Sequence, residues 1–231
     1  MQPRVVSESG EVPPAEDQAL AAADAAAITA AKTVLRNAIQ FRRDTRPAER
    51  RSGDDAARSD LVEDALSSRM PDTVAAYLSM GSEPATLRLV AWLAAHDIRV
   101  LLPVLTVGAP DATGLGKPVW APYEGPDALR VSQFSILEPT SEPVPAEQLP
   151  EAEMIICPGL AANRQGDRLG RGGGWYDRAL RHASSSAPVW VLLNDDEVLA
   201  TIPTHSWDRR VDAIFTPSQM IMCEPRSASL A

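Results

Sequence analysis

The sequence predicts an α/β protein, a Rossmann-like three-layer α/β/α sandwich around a mostly parallel sheet. Three observations carry this prediction. Continuous apolar runs at 73–80 (TVAAYLSM), 98–105 (IRVLLPVL), 154–159 (MIICPG) and 187–194 (APVWVLLN) read as strands buried on both faces. Segments between strands carry apolar residues at helical spacing. Residues 73–105 run strand, helix, strand, the unit that joins parallel neighbours.

The first eighteen residues, MQPRVVSESGEVPPAEDQ, are polar and acidic with prolines, and are expected to form a disordered leader. They lack the basic segment and apolar core of a secretory signal. One domain is expected over 19–231. A helix is predicted from 19 to about 46, because Ile28, Leu35 and Ile39 fall at helical spacing and Pro47 can stop it. A second helix is predicted over 54–70, with Leu61, Ala65 and Leu66 on one face and Pro71 at its end. After the strand at 73–80, residues 81–97 read as loop, cap and helix. Residues 106–150 are rich in Pro, Gly, Ser and Thr. They read as a long excursion with strand-like pieces at 117–123 and 135–139. Past the strand at 154–159 come a glycine-rich loop, a helix at 175–184, the strand at 187–194 and a fifth strand at 211–217.

Composition narrows the function. Of the 231 residues, 45% are apolar, enough for a substantial core, and the net charge is −9. That field repels a phosphate backbone, so nucleic acid is not an expected partner. No apolar run approaches the ~20 residues of a membrane span, and a cytoplasmic location is expected. The two cysteines form no C-x-x-C pair, and Cys157, inside MIIC, reads as a buried structural thiol. His96, His182 and His205 are scattered, without metal-site spacing.

Ligands of such sheets bind at the carboxyl ends of the strands. Three segments follow predicted strand ends: GSEPAT (81–86), the glycine loop, and NDDE (194–197). The loop RQGDRLGRGGG (164–174) holds Gly166, Gly170, Gly172, Gly173 and Gly174 beside Arg164, Arg168 and Arg171. Glycines permit positive φ and close backbone approach, and successive N–H groups can then cradle an anion. A helix N-terminus adds donors, and arginines add bidentate phosphate contacts. This chemistry suits a polyphosphate. The loop is neither a Walker A motif nor G-x-G-x-x-G, since Trp175 occupies the third glycine position. Asp177 fits two roles, stabilising a helix start or ligating a metal that faces a phosphate. Trp175 and Tyr176 fit either stacking on a planar ligand or packing on the sheet.

The segment PGLAANRQGDRLGRGGGWYDRAL (158–180) closely resembles the signature of the 5-formyltetrahydrofolate cyclo-ligase family, P-G-L-A-F-D followed by G-x-R-L-G-x-G-x-G-Y-Y-D. The resemblance extends from about Ala30 to Pro217. It takes in KTVLR (32–36), YLSMGSEPAT (77–86), ILEP (136–139) and IPTHSWDRRVDAIFTP (202–217). It implies conversion of 5-formyltetrahydrofolate to 5,10-methenyltetrahydrofolate with MgATP, releasing ADP and phosphate. The γ-phosphoryl group goes to the formyl oxygen, N10 closes the ring, and phosphate leaves. Such transfer needs positioning and charge neutralisation more than a protein nucleophile.

Carried over by position, the resemblance has Lys32 and Arg36 on the ATP phosphates. Arg168, Leu169, Gly170, Arg171, Gly172, Gly173, Gly174, Trp175 and Tyr176 wrap ATP, and the run from Arg171 to Trp175 also faces the folate. Glu83 binds the folate's polar edge with Leu78 beside it, Asp177 and Asp208 hold Mg²⁺, and Arg171 and Tyr176 are the catalytic candidates. The expected partners are reduced folate and ATP, with a monomer expected and a dimer as the alternative. Taken alone, Lys32 and Arg36 read as a solvated helix face, and Glu83 as an acid at a helix start. The sequence departs from the family at several points. Phe-Asp becomes Ala162-Asn163, the first tyrosine becomes Trp175, and the H-D pair becomes Trp207-Asp208 with a histidine displaced to His205. A lysine the family often carries is absent, with Gly173 in the loop and His96-Asp97 before the second strand.

Overall fold

The computed structural model describes residues 15–105, 117–132, 135–205 and 208–225. Its elements are α1 (Ala15–Asp44), α2 (Ala48–Ser67), β1 (Thr73–Ala75), α3 (Leu87–Ala95), β2 (Arg99–Val104), β3 (Val119–Pro122), β4 (Leu129–Val131), β5 (Leu137–Pro139), β6 (Val144–Pro145), β7 (Met154–Pro158), β8 (Ala161–Ala162), β9 (Arg168–Leu169), α4 (Trp175–Ala179), β10 (Val189–Leu192), β11 (Ala213–Phe215) and β12 (Met220–Met222). Eight strands form one sheet in the order β12-β11-β10-β7-β1-β2-β3-β6. From β11 to β2 every pairing is parallel. The outer pairings, β11 with β12, β2 with β3 and β3 with β6, are antiparallel. The predicted α/β fold is the observed one. The excursion after β2 supplies one antiparallel flank and β12 the other.

Alternation along the central strands builds two cores. Val74, Val100, Leu102 and Ile156 pack with Val62, Leu66, Leu89 and Leu93 of α2 and α3. Ala75, Leu101, Ile155 and Cys157 point the other way, against Trp120, Trp175, Ala179 and Leu180. The layers are unequal, because α4 and short 3-10 turns cover the second face where full helices were expected. Helix α1 belongs to neither layer. Its Ile39 packs with Leu160, Ala161, Leu169 and Ile202, so the helix lies over the β8–β9 hairpin, just past the carboxyl end of β7.

Several boundaries move. Helix α1 begins at Ala15, so the expected leader boundary at Gln18 falls inside the helix, and residues 1–14 lie outside the described residues. Pro47 ends α1 as predicted and is also the N-cap of α2, which starts six residues earlier than its apolar spacing announces. Strand β1 stops at Ala75 instead of residue 80. The Ala76 amide still donates to the Leu101 carbonyl, and the chain then leaves the sheet with Tyr77 and Leu78 buried in the first core. Helix α4 ends at Ala179 and continues only as a 3-10 turn to His182, short of the expected 184. No helix among the described residues is long and apolar enough to cross a membrane.

The NDDE segment after β10 serves as a junction. Glu197 receives two 2.7 Å bonds from Arg43 of α1, and Arg43 also donates to the Gly159 carbonyl at 2.7 Å. Arg58 of α2 donates to the Leu193 carbonyl and to Asn194 Oδ1, both at 2.8 Å. The side chains of Arg43, Glu197 and Arg58 are 1%, 2% and 1% exposed. These buried charges tie both N-terminal helices to the sheet's carboxyl edge.

Candidate functional site

A cavity of about 530 Å³ opens at that edge, a size typical of small-molecule sites. Its walls come from α1, the chain beyond β1, the end of β2, the glycine loop, the start of α4, and His205 and Asp208. Most residues the sequence singled out line it: Lys32 and Arg36, Leu78 and Glu83, the whole run from Arg168 to Asp177, and Asp208; Arg164 and Gly166 of the glycine loop do not, and Gly166 sits instead against the Val211 carbonyl. Two of the three strand-end segments therefore converge. The third, NDDE, does not line the cavity and acts as the junction described above.

The loop's glycines matter where the backbone requires them. Gly172 has φ 105°, and a Cβ there would sit 3.3 Å from Arg36 Cζ. Gly174 has φ 63° and is the N-cap of α4. Both conformations are rare for L side chains. Arg36 Nε donates to the Gly170 carbonyl at 2.9 Å, which fixes its guanidinium across the loop. Among the described residues, no backbone carbonyl accepts from the N–H of Gly172 or Gly173.

Three cations of the site are paired with carboxylates. Lys32 Nζ lies 2.5 Å from Asp208 Oδ2, which also accepts from the His205 amide at 2.8 Å. Arg168 donates to Asp177 Oδ1 at 2.9 Å and to the Pro158 carbonyl at 3.0 Å. Arg171 donates to Glu83 Oε1 at 3.0 Å, while Glu83 Oε2 accepts from the Met80 amide at 2.9 Å. Each contact spans two segments of the wall or braces one, so the charges hold the cavity in shape. Lys32, Arg36 and Arg171 all line the cavity that a polyanion would enter.

Tyr176 sits at 5.9 Å from the Arg168 guanidinium by its ring centroid. Its hydroxyl is buried without a hydrogen-bond partner among the described residues. Burial first, then the neighbouring Cys157, Tyr77 and Glu83, push its pKa well above 10. At neutral pH it is a proton donor to hydrogen bonds and not a base. Trp175 packs on the sheet while also lining the cavity. It is 4% exposed and meets Trp120 edge-on at 5.1 Å and Tyr176 at 4.9 Å. Cys157 is buried as predicted, and burial raises its thiol pKa to about 11.

Asp177 and Asp208 each spend one oxygen on a cation and keep the other, Oδ2 and Oδ1, outside those contacts. Among the described residues there is no cluster of three or more His, Cys, Asp or Glu able to hold a metal. That donor set fits Mg²⁺, which is bound by one or two carboxylates together with ligand phosphates, not by an all-protein cage.

The departures from the family pattern divide: Gly173, Trp175 and His205 line the cavity, whereas Ala162, Asn163, His96 and Asp97 do not. Ala162 is fully buried in β8, and Asn163 closes the 163–167 turn through 2.9 Å bonds with Asp167. Trp207 lies outside the described residues. Sequence reasoning missed Thr29, Tyr77, Pro103, Leu105, Ile136 and His205, which also line the cavity. Thr29 was within reach, since it stands one helical turn before Lys32. In the apolar wall, Pro103 and Leu105 carry no motif and only the fold brings them there, while Ile136 opens the ILEP stretch.

Comparison with known proteins agrees with this geometry. The model of the 5-formyltetrahydrofolate cyclo-ligase family matches residues 28–217. A 5-formyltetrahydrofolate cyclo-ligase of Mycolicibacterium smegmatis is 39% identical over 193 residues, covering 83% of this chain and 96% of that protein. The enzyme of that name from Escherichia coli K12 is 31% identical over 65% of this chain and 81% of its own length. The fold is shared with the 5,10-methenyltetrahydrofolate synthetase of Aquifex aeolicus, with a TM-score of 0.67 at 24% identity, over 86% of this chain and 96% of that one. With the signature residues gathered in one cavity and the match spanning the sheet from α1 to the end of β11, the chain belongs to the 5-formyltetrahydrofolate cyclo-ligase family.

Proposed function

We propose that this protein closes 5-formyltetrahydrofolate to 5,10-methenyltetrahydrofolate at the expense of ATP, with release of ADP and phosphate. The observation that carries the reading is the convergence of Lys32, Arg36, Glu83, Arg171 and Tyr176 from four separate segments onto one cavity. In the reaction the formyl oxygen attacks the γ-phosphorus and the bond to the bridging oxygen of ADP breaks. N10 then attacks the activated formyl carbon and gives up its proton, and the carbon–oxygen bond to phosphate breaks.

The chain's own residues position and neutralise. Lys32 and Arg36 stand on one face of α1, four residues apart, and hold the phosphates. Arg171 reaches the transferring phosphoryl group, where fixed positive charge stabilises the transition state. Glu83, nearly buried, accepts from the folate's polar edge beside Leu78. Tyr176, protonated at neutral pH, donates toward the reacting oxygen. Asp177 and Asp208 would hold Mg²⁺, which neutralises phosphate charge. The aromatic and apolar wall excludes water from the activated formyl group.

The same reading has the protein acting in the cytoplasm as a monomer on dissolved ligands, without nucleic acid or membrane. The net charge of −9 supports exclusion of nucleic acid. The test is near-ultraviolet absorbance with 5-formyltetrahydrofolate, Mg²⁺ and ATP. An ATP-dependent rise of the methenyl product is expected, and folate binding without that rise would refute catalysis.

A further inference from the structure

Arg171 has a weak hold on its own conformation. Its side chain is 40% exposed, so core packing does not fix it. The contact from Nη1 to Glu83 leaves the guanidinium plane free to pivot about that one bond. A second contact removes the pivot: Nη2 donates to Gln40 Oε1 at 3.3 Å. Gln40 lies on α1 next to Ile39 and is not among the residues lining the cavity.

Gln40 is itself oriented. An amide can present either its oxygen or its nitrogen, and the network decides which. Its Nε2 donates to Asp44 Oδ1 at 2.8 Å and to Ser82 Oγ at 2.9 Å, while Ser82 Oγ donates to the same Asp44 oxygen at 2.6 Å. A carboxylate only accepts, so Asp44 draws the amide nitrogen toward itself and turns the amide oxygen to Arg171. The hydrogen bonds from Ser82 and Gln40 hold the Asp44 pKa below its usual value, as expected for a carboxylate that accepts both. Ser82 precedes Glu83, so the same amide links α1, the folate-side turn and the glycine loop.

We infer that Gln40, oriented by Asp44, is a positioning residue that fixes the plane of the Arg171 guanidinium. The inference rests on the proposed role of Arg171 in phosphoryl transfer. The test is Gln40→Met, which keeps the chain length and removes all three bonds. The ¹⁵N relaxation order parameter of the Arg171 Nε–H group is expected to fall. The kcat for methenyl formation is expected to drop about tenfold, a charged hydrogen bond's worth of transition-state stabilisation. The KM for each ligand and the unfolding midpoint should stay close to wild type, a split that a general loss of structure does not give. Asp44→Asn should reproduce part of the loss, and the double variant should lose no more than Gln40→Met alone. An unchanged order parameter, an unchanged kcat or additive losses would overturn the inference. If the wild-type protein forms no methenyl product, the functional reading falls, and the order parameter alone still decides whether Gln40 positions Arg171.

Discussion

Replacing Arg43 by methionine tests the claim that buried charge, more than helix packing, fixes α1 on the site. Arg43 and Glu197 are 1% and 2% exposed and share two 2.7 Å bonds, with a third from Arg43 to the Gly159 carbonyl. Glu197 also accepts from the Asn194 amide and side chain at 2.8 Å, so it cannot turn out to water without opening that turn. Removing one partner of such a pair leaves an uncompensated buried charge and costs about 3–5 kcal/mol. For a chain of this size that lowers the melting temperature by roughly 6–20 °C. Arg43→Met with Glu197→Gln removes the charge too and should recover more than half of the loss. Urea unfolding followed by circular dichroism measures both variants. A loss below about 1 kcal/mol for the single variant, or a double variant no better than the single, would refute the reasoning. Lys32 and Arg36 ride on the same helix, so the single variant should also show a raised KM for ATP.

Three further outcomes follow from the geometry. Gly172→Ala puts a side chain at φ 105° and 3.3 Å from Arg36, so about 1–3 kcal/mol of strain and a raised ATP KM are expected; an unaltered melting curve and KM would contradict this. Asp177→Asn should raise the Mg²⁺ concentration for half-maximal activity, and an unchanged metal titration would remove Asp177 from the metal site. The Cys157 thiol has a folded pKa of about 11 against an ordinary value of 9.0, mainly from burial. The folded state therefore keeps a proton that the unfolded chain gives up, so stability is full below pH 9 and falls as pH rises toward 11. Cys157→Ala should make that alkaline decline shallower in urea titrations, with Cys223, also raised to about 11 by burial, supplying part of what remains, and an identical pH profile would show that the Cys157 thiol is not responsible.

Local periodicity and residue type encode the parallel core of the sheet, the glycine loop and its chemistry directly. Runs such as MIIC have no polar alternation and so had to be buried on both faces. The clustering of Arg168, Arg171 and the loop glycines needed no long-range information either. Helix starts were less legible. The first turns of α2 are polar, and only Pro47 marks its entry.

What each candidate side chain touches depends on partners distant in the chain. Glu83 read alone as a helix-start acid, yet it lies 3.0 Å from Arg171, across 88 residues of chain. Trp175 lines the cavity and is also tied into the core, where Trp120 from the antiparallel flank meets it edge-on. Ala162 and Asn163 looked like losses at the site, but the hairpin turns them away from the cavity. NDDE looked like a ligand loop and became the anchor for two buried arginines. In each case the deciding partner is remote in sequence, and burial, charge pairing and aromatic contact are properties of the pair. No local pattern carries them.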